Sequence, residues 1–506
     1  RIGSAYGTGT SLAINGMIAT NTVVSTADAY MTGGSLTATG DVSISSTNGA
    51  KADATVNAAS SSGDTAVGVV LSFNTLGWEP QDLFTQTLDG LLGTSIGTAA
   101  PAYAHAYLED VTVSAGGNLL VDANNSAQLN ATLSNAAISA ASALYGAGGK
   151  SAAAALATNL VNSDAKAWIE DTDASAQTVD VSGDLTVRAQ DNAGIYANSK
   201  LVSSSTTTNT GGANIVDGII GDSITVQFLS GDGSQEIEFG EKVRLSDDYA
   251  GGGTGGNIYT FLGNKETFDL SAIDYTNLDY WQEEVATNII PQGLNISDSD
   301  SMAIGGLVVR NDVRSAVEAK IVNINVTGGD VTVESIENAT LVANIDAAVA
   351  SSGGSAYGSG TSLAVNAMIA TNLVLGSSKA FISGSTVNIT GSLIVKGRNT
   401  SNIGVTNKSV TSSGDTAAGV TLALNTVGWE PQDLFTRTLD ALLGTSIGTE
   451  QPAETLAYIV DTAITVGGDL SVLADNTAAI KSVLSNGATS AASALVNACL
   501  LYTSPS

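Results

Sequence analysis

Apolar and polar residues alternate with period two along most of this chain. Segments such as Asp184-Leu-Thr-Val-Arg-Ala and Asp330-Val-Thr-Val-Glu put every second side chain on one face, as half-buried strands do. Gly-polar-aliphatic steps punctuate the alternation at Gly40-Asp41-Val42, Gly117-Asn118-Leu119, Gly183-Asp184-Leu185, Gly329-Asp330-Val331, Gly391-Ser392-Leu393 and Gly468-Asp469-Leu470. Gly, Asp and Asn tolerate turn dihedrals, so these steps read as corners. An Ala-aromatic-aliphatic triplet precedes each corner: Ala29-Tyr30-Met31, Ala106-Tyr107-Leu108, Ala167-Trp168-Ile169, Ala380-Phe381-Ile382 and Ala457-Tyr458-Ile459, with a degenerate copy at Ala319-Lys320-Ile321. Before the triplets come apolar runs ending in Asn, with Asn15, Asn74, Asn159, Asn311, Asn366 and Asn425 in like positions.

This rhythm predicts an all-β chain, an extended parallel β-solenoid (β-helix) with short flanking helices and one inserted small β-module. Stacked coils would align the asparagines and the aromatics into columns. Gly-polar steps lie 62, 66 and 77 residues apart, so each unit is expected to make about three coils of roughly 20–25 residues. Some 18 coils at ~4.8 Å each would form a rod about 85 Å long. The alternative is a set of β-sandwich domains, for which the units are small and the Ala-rich strands fill a broad core poorly.

A longer duplication encloses the short units. Gly3-Ser-Ala-Tyr-Gly7 returns 351 residues on as Gly354-Ser-Ala-Tyr-Gly358, and Gly77-Trp-Glu-Pro-Gln-Asp-Leu-Phe-Thr85 recurs unchanged at 428–436. The match runs without a gap to Leu144 and Leu495. Within each copy one helix is expected, over 80–92 and 431–443. Pro80 stands near its first turn beside acidic residues, Leu83, Phe84, Leu88, Leu91 and Leu92 form an apolar stripe, and Gly93 closes it. Such a stripe packs on the solenoid flank or binds a partner.

The rhythm is lost between Leu201 and about Ser301. The organisation read from the sequence is therefore solenoid repeats over 1–206, an inserted β-module with linker over 207–300, and solenoid repeats over 301–496. A tail over 497–506 reads as translated adapter sequence and is set aside with the lone Cys499. Residues 221–284 are more acidic and more aromatic than the rest. Exposed rings on a β-scaffold are a common sugar-stacking platform, so Tyr259, Phe261, Tyr275, Tyr280 and Trp281 are the candidate carbohydrate-binding residues. The competing reading is that these rings fill the core of a small module with little else to bury.

Charge narrows the function. With 18 Lys+Arg against 48 Asp+Glu the formal net charge is −30, which argues against nucleic acid and anionic membranes as partners. The 43% hydrophobic content, regularly spaced, argues against disorder. No run of about 18 apolar residues is present, so no transmembrane segment is expected. Asp298 with Asp300, and Asp247 with Asp248, superficially suggest Ca2+. Neither pair sits in a calcium motif, so no metal site and no cofactor are expected. The loop over 251–256 lacks the Gly-Lys-Ser/Thr of a phosphate cradle.

No catalytic residue emerges. The only His, His105, is matched by Leu456 in the duplicate copy, and a general base would hardly be exchanged for Leu beside an unchanged neighbour. Paired carboxylates on a polysaccharide-cleaving β-helix stay open as a minority reading.

The motifs Asn-Thr-Leu-Gly-Trp-Glu-Pro-Gln-Asp-Leu-Phe, Leu-Asp-Gly-Leu-Leu-Gly and Gly-Asp-Leu-x-Val, in this order, resemble the giant repetitive surface or secreted proteins of aquatic Gram-negative bacteria. Those proteins are described as adhesin-like, filamentous-hemagglutinin-like or LEPR-XLL-type β-strand repeat proteins. The resemblance covers nearly the whole chain and implies export, an extracellular or outer-membrane-associated location, and a role in attachment or surface coating. It supplies no catalytic residue. The expected function is a structural or adhesive stalk without catalysis, facing extracellular glycans or other cell surfaces. Carbohydrate binding through the inserted module is the alternative.

Overall fold

The computed structural model describes residues 11–77, 102–142, 148–173, 177–208, 226–237, 241–261, 266–277, 280–284, 300–353, 361–428 and 453–490. The helices expected over 80–92 and 431–443 and the tail over 497–506 lie outside these residues. The described chain is all-β and is dominated by four parallel sheets.

The chain visits those four sheets in one fixed order, six times among the described residues. Coil 3 shows the plan. A 23-residue strand, Gly148–Glu170, lies in the first sheet, Thr178–Val181 in the second, Leu185–Asp191 in the third and Gly194–Thr208 in the fourth. Coil 1 opens with Leu12–Val23, coil 2 with Thr65–Leu76, coil 4 with Asp300–Val322, coil 5 with Ser362–Ser383 and coil 6 with Thr416–Val427. Strands of successive coils pair parallel and in phase, Asn74 with Asn159 and Asn159 with Asn311. This excludes β-sandwich domains, whose sheets are antiparallel.

Each repeat unit makes one circuit rather than three. The corner residues of successive coils are 77, 66, 62 and 77 residues apart, with 146 where the module intervenes. Six coils therefore stack over only about 24 Å, five steps of ~4.8 Å. The long circuit follows from the strands themselves. Over Gly148–Glu170 buried positions alternate with more exposed ones except at 157–161, where five in a row are buried, and the strand runs through without a corner. The corners come elsewhere. After the first sheet, Gly33, Asp110, Asn323, Gly384 and Asp461 have φ between 47° and 67°, a region open to Gly and tolerated by Asn and Asp. The second corner is the Gly-polar step, and the third is a column of Asn and acidic residues described below.

The core is a thin inner layer. One half of the first sheet packs on the fourth over Ala153, Ala155, Ala157, Leu129, Leu133 and Ile195. The other half packs on the second and third sheets over Ala167, Ile169, Val179, Leu185 and Val187. Alanines interspersed with branched aliphatics on both faces, such as Ala131 and Ala197 beside Leu133 and Ile195, let the sheets approach closely, which is what the Ala-rich composition encodes.

The repeat strands stop at Thr208 and resume at Asp300. Between them the strands Phe228–Leu229, Lys242–Arg244, Ile258–Phe261 and Trp281–Glu284 form one small sheet, and Ser234–Ile237 pairs with Glu266–Asp269 in another. This module has its own core of Ile237, Val243, Leu245, Tyr259, Phe261, Leu270, Tyr275 and Trp281.

Candidate functional surface

Four of the five rings expected to stack on sugar are core. Tyr259, Phe261, Tyr275 and Trp281 are at most 3% exposed, and only Tyr280 reaches the surface. Tyr275 and Trp281 meet edge to face at 4.6 Å, and Phe261 lies 5.1 Å from Trp281. The Tyr275 hydroxyl donates to the Leu270 carbonyl at 3.1 Å, and burial pushes its pKa up. The Tyr259 hydroxyl accepts from the Thr254 N–H at 2.7 Å. A ring with no face open to solvent cannot bind a sugar, so the expected platform is not formed by these four. A module this small buries its few large side chains first.

Another set of rings, half-buried except for the exposed Tyr30, lies on the outer face of the first sheet. In-phase pairing aligns Tyr30, Tyr107, Trp168, Lys320, Phe381 and Tyr458 in one column across all six coils. Tyr30 stacks on Tyr107 at 4.8 Å, Tyr107 on Trp168 at 4.1 Å and Phe381 on Tyr458 at 4.9 Å, all within 8° of parallel. Lys320 fills the gap, 6.0 Å from the Trp168 ring and 2.7 Å from the Glu170 carboxylate. Lys379 lies 5.0 Å over Phe381. Because the rings stack along the coil axis, Tyr107 has a ring on each face, while Tyr30 is stacked on one side only. A glycan platform needs ring faces open to solvent.

His105 belongs to the neighbouring column. It stacks on Tyr103 at 4.1 Å and lies 3.3 Å from Asp164 and 3.7 Å from Asp28. Leu456 occupies the matching place in coil 6. On the third sheet another column alternates in sign, Asp122, Arg188, Glu334, Lys396, with Arg188 to Asp122 at 2.8 Å and Lys396 to Glu334 at 3.1 Å.

Inside, an amide ladder runs the height of the stack. The side-chain NH2 of Asn21 donates to Asn74, Asn74 to Asn159, Asn159 to Asn311, Asn311 to Asn372 and Asn372 to Asn425, at 2.7–2.8 Å throughout. The sequence expectation of an Asn column holds, with two members corrected. Asn15 and Asn366 sit six residues before Asn21 and Asn372, pair with Gly68 and Gly305, and donate across the core to the Ala59 and Ala347 carbonyls. At the second corner the side-chain oxygens of Asp41, Asn118, Asp184, Asp330 and Ser392 each accept the backbone N–H of the matching residue in the next coil, at 2.7–3.1 Å.

The third corner carries groups that sequence reasoning missed. Its column is Asn48, Asn125, Asp191, Glu337, Asn399 and Asn476. Asp191 and Glu337 are fully buried. Burial pushes the Asp191 carboxyl up to about 7 against its hydrogen bond from the Ala193 N–H, and the Asp164 charge adds to the rise. Burial, then the Asp191 charge, pushes Glu337 well above the usual carboxylate range. This is a pair of facing carboxyls, but it faces the core and no polysaccharide can reach it.

Asp300, once a calcium candidate, binds the Thr361 N–H at 2.9 Å and its hydroxyl at 2.7 Å, which holds its carboxyl below the usual range. Asp298 lies outside the described residues. No cluster of three or more His, Cys, Asp or Glu able to hold a metal occurs among the described residues, and no described helix is long and apolar enough to cross a membrane. No protein family, curated protein or solved structure was found to match the chain.

Proposed function

We propose that the chain is a β-solenoid segment acting as a rigid, non-catalytic spacer in an exported bacterial surface protein. The observation that supports this is the use made of chemically capable side chains. The Asn ladder, the corner oxygens and the stacked rings are each engaged by the next coil. Side chains committed to their own neighbours resist pulling and water but offer little to a ligand. The acidic surface keeps such a stack from associating nonspecifically. Export and surface location rest on the resemblance in repeat motifs and on the near-absence of Cys.

The test is a glycan array probed with the intact chain, paired with a polysaccharide depolymerisation assay. A spacer gives neither binding nor cleavage. Glycan binding that disappears in Tyr280→Ala or Tyr30→Ala would overturn the spacer reading in favour of adhesion through that ring.

A further inference from the structure

The half of the first sheet that precedes the Asn ladder is apolar on its outer face as well as its inner one. In Ala66–Leu71 of coil 2 and Ala152–Ala157 of coil 3 no position carries a polar side chain. Parallel strands with both faces covered read as unbroken apolar runs of this kind. In-phase pairing sets the outward residues in three columns across all six coils. The middle column is Gly16, Val69, Ala154, Gly306, Ala367 and Val420. Larger residues flank it, with Val67, Ile304 and Val365 on one side and Leu71, Leu156 and Ile369 on the other. We infer that this face packs on the same face of a second copy, so that two solenoids lie flat against each other as a dimer. The inference goes beyond the spacer reading, since it stands on the outer face alone.

Three observations carry it. The first is exposure away from the ends of the stack. With a coil on either side, Val69 is 40% and Ile304 41% exposed, Ala154 and Ala367 are also exposed, and the rest of the face in coils 2–5 is half-buried. The second is charge. No residue of the three columns is charged or polar, whereas one outward column of the third sheet carries Asp122, Arg188, Glu334 and Lys396. Between chains of net charge −30, contact is least opposed across a face that bears no charge.

The third is area and shape. Three columns at about 6.6 Å and six coils at ~4.8 Å span about 580 Å2. That lies at the upper end of the apolar patches that monomers leave open, ~300–600 Å2. Two such faces would bury about 1,200 Å2, above the ~1,000 Å2 that a specific interface needs. A groove between two ridges is also self-complementary. Shifted by one column, a ridge of one copy lies in the groove of the other, as facing sheets interdigitate in a sandwich.

Sedimentation of the full chain over a concentration series tests this. It is run beside Ala154→Glu, Ile304→Glu and a control, Thr186→Glu, on the outer face of the third sheet. The parent should form dimers, and more tightly at high salt, which screens the acidic surface. Each of the first two variants should weaken the dimer at least about tenfold, because a carboxylate would be buried unpaired, and the control should leave it unchanged. Val69→Thr combined with Val365→Thr keeps the shape of the face, leaves the core alone and should weaken the dimer severalfold. Hydrogen exchange at Gln128–Ser142 reports that each variant is folded. A chain that stays monomeric up to about 100 μM would overturn the inference, because the face would then be covered from within the chain or by another partner. So would a dimer equally tight in the Glu and Thr variants, or binding to phosphatidylcholine vesicles without self-association.

Discussion

Asp191 lies in register with Glu337 of the next coil, and both carboxyls are buried in a column whose other four members are asparagines. In Asn125 the side-chain oxygen position is paired with an NH2 that donates to the Ala102 and Asp164 carbonyls at 2.9 and 3.1 Å. The Asp191 carboxyl replaces such an amide and accepts from the Ala193 N–H at 2.8 Å beside the Ser163 hydroxyl, and the Glu337 carboxyl accepts from the Ala339 N–H at 3.0 Å beside the Ser315 and Ser401 hydroxyls. A protonated carboxyl can donate a hydrogen bond within the column, whereas two ionised ones in register repel each other.

This relationship sets a pH dependence. The folded chain holds protons that the unfolded chain releases near the ordinary values of 3.8 for Asp and 4.5 for Glu. Stability from the pair is therefore complete below those values and is lost as pH rises to about 7 at Asp191. Asp191→Asn completes the amide column at that coil. It should stabilise the chain by a few kcal/mol at pH 8, change little at pH 4, and flatten the profile between them. Urea titrations at both pH values check this, and equal effects at the two would contradict it.

Asn159 is the ladder member between coils 2 and 4, 1% exposed, donating to Asn311 and accepting from Asn74. Asn159→Ala removes both bonds, leaving the buried Asn311 side-chain oxygen without its donor and the Asn74 NH2 with only the Ser72 hydroxyl. The cost should be about 2–5 kcal/mol, read by chemical denaturation, with protection lost first in coils 2 and 3. A loss under 0.5 kcal/mol would mean that the ladder contributes nothing measurable.

Lys320 breaks the outer aromatic column between Trp168 and Phe381. In Lys320→Tyr a ring could stack on both neighbours, worth about 1–3 kcal/mol, against a half-buried pair with Glu170 worth about 1 kcal/mol. The variant should melt at a higher temperature than the parent. A lower melting temperature would show that the cation's contacts outweigh a continuous stack.

Trp281 is the largest buried side chain of the inserted module. Trp281→Ala should cost about 3–5 kcal/mol, enough to unfold a module with an eight-residue core. Exchange at Ile258–Phe261 should become fast while that at Leu185–Asp191 stays slow. Loss of protection in both would show that coil and module fold as one unit.

Much of this architecture was legible in the sequence. The Ala-aromatic-aliphatic triplet and the Gly-polar step each became a column, because both recur at the same place in every circuit. Circuit length was not legible. Period-two alternation fixes which side chains face in and says nothing about where the strand turns, and the positive-φ corner is as often Asp or Asn as Gly. Asn15 and Asn21 lie six apart in one strand on the same face, so only the pairing shows which joins the ladder. The module's rings and the Asp191–Glu337 pair share one difficulty. A ring or an acid reads the same in sequence whether it faces water or the core.

The central claim is that one repeat unit forms one coil. Single-molecule pulling on the full chain tests it most directly. Rupture of successive coils of 62–77 residues should release contour length in steps of about 22–27 nm. Steps of about 7–9 nm, as coils of roughly 20–25 residues would give, would contradict it.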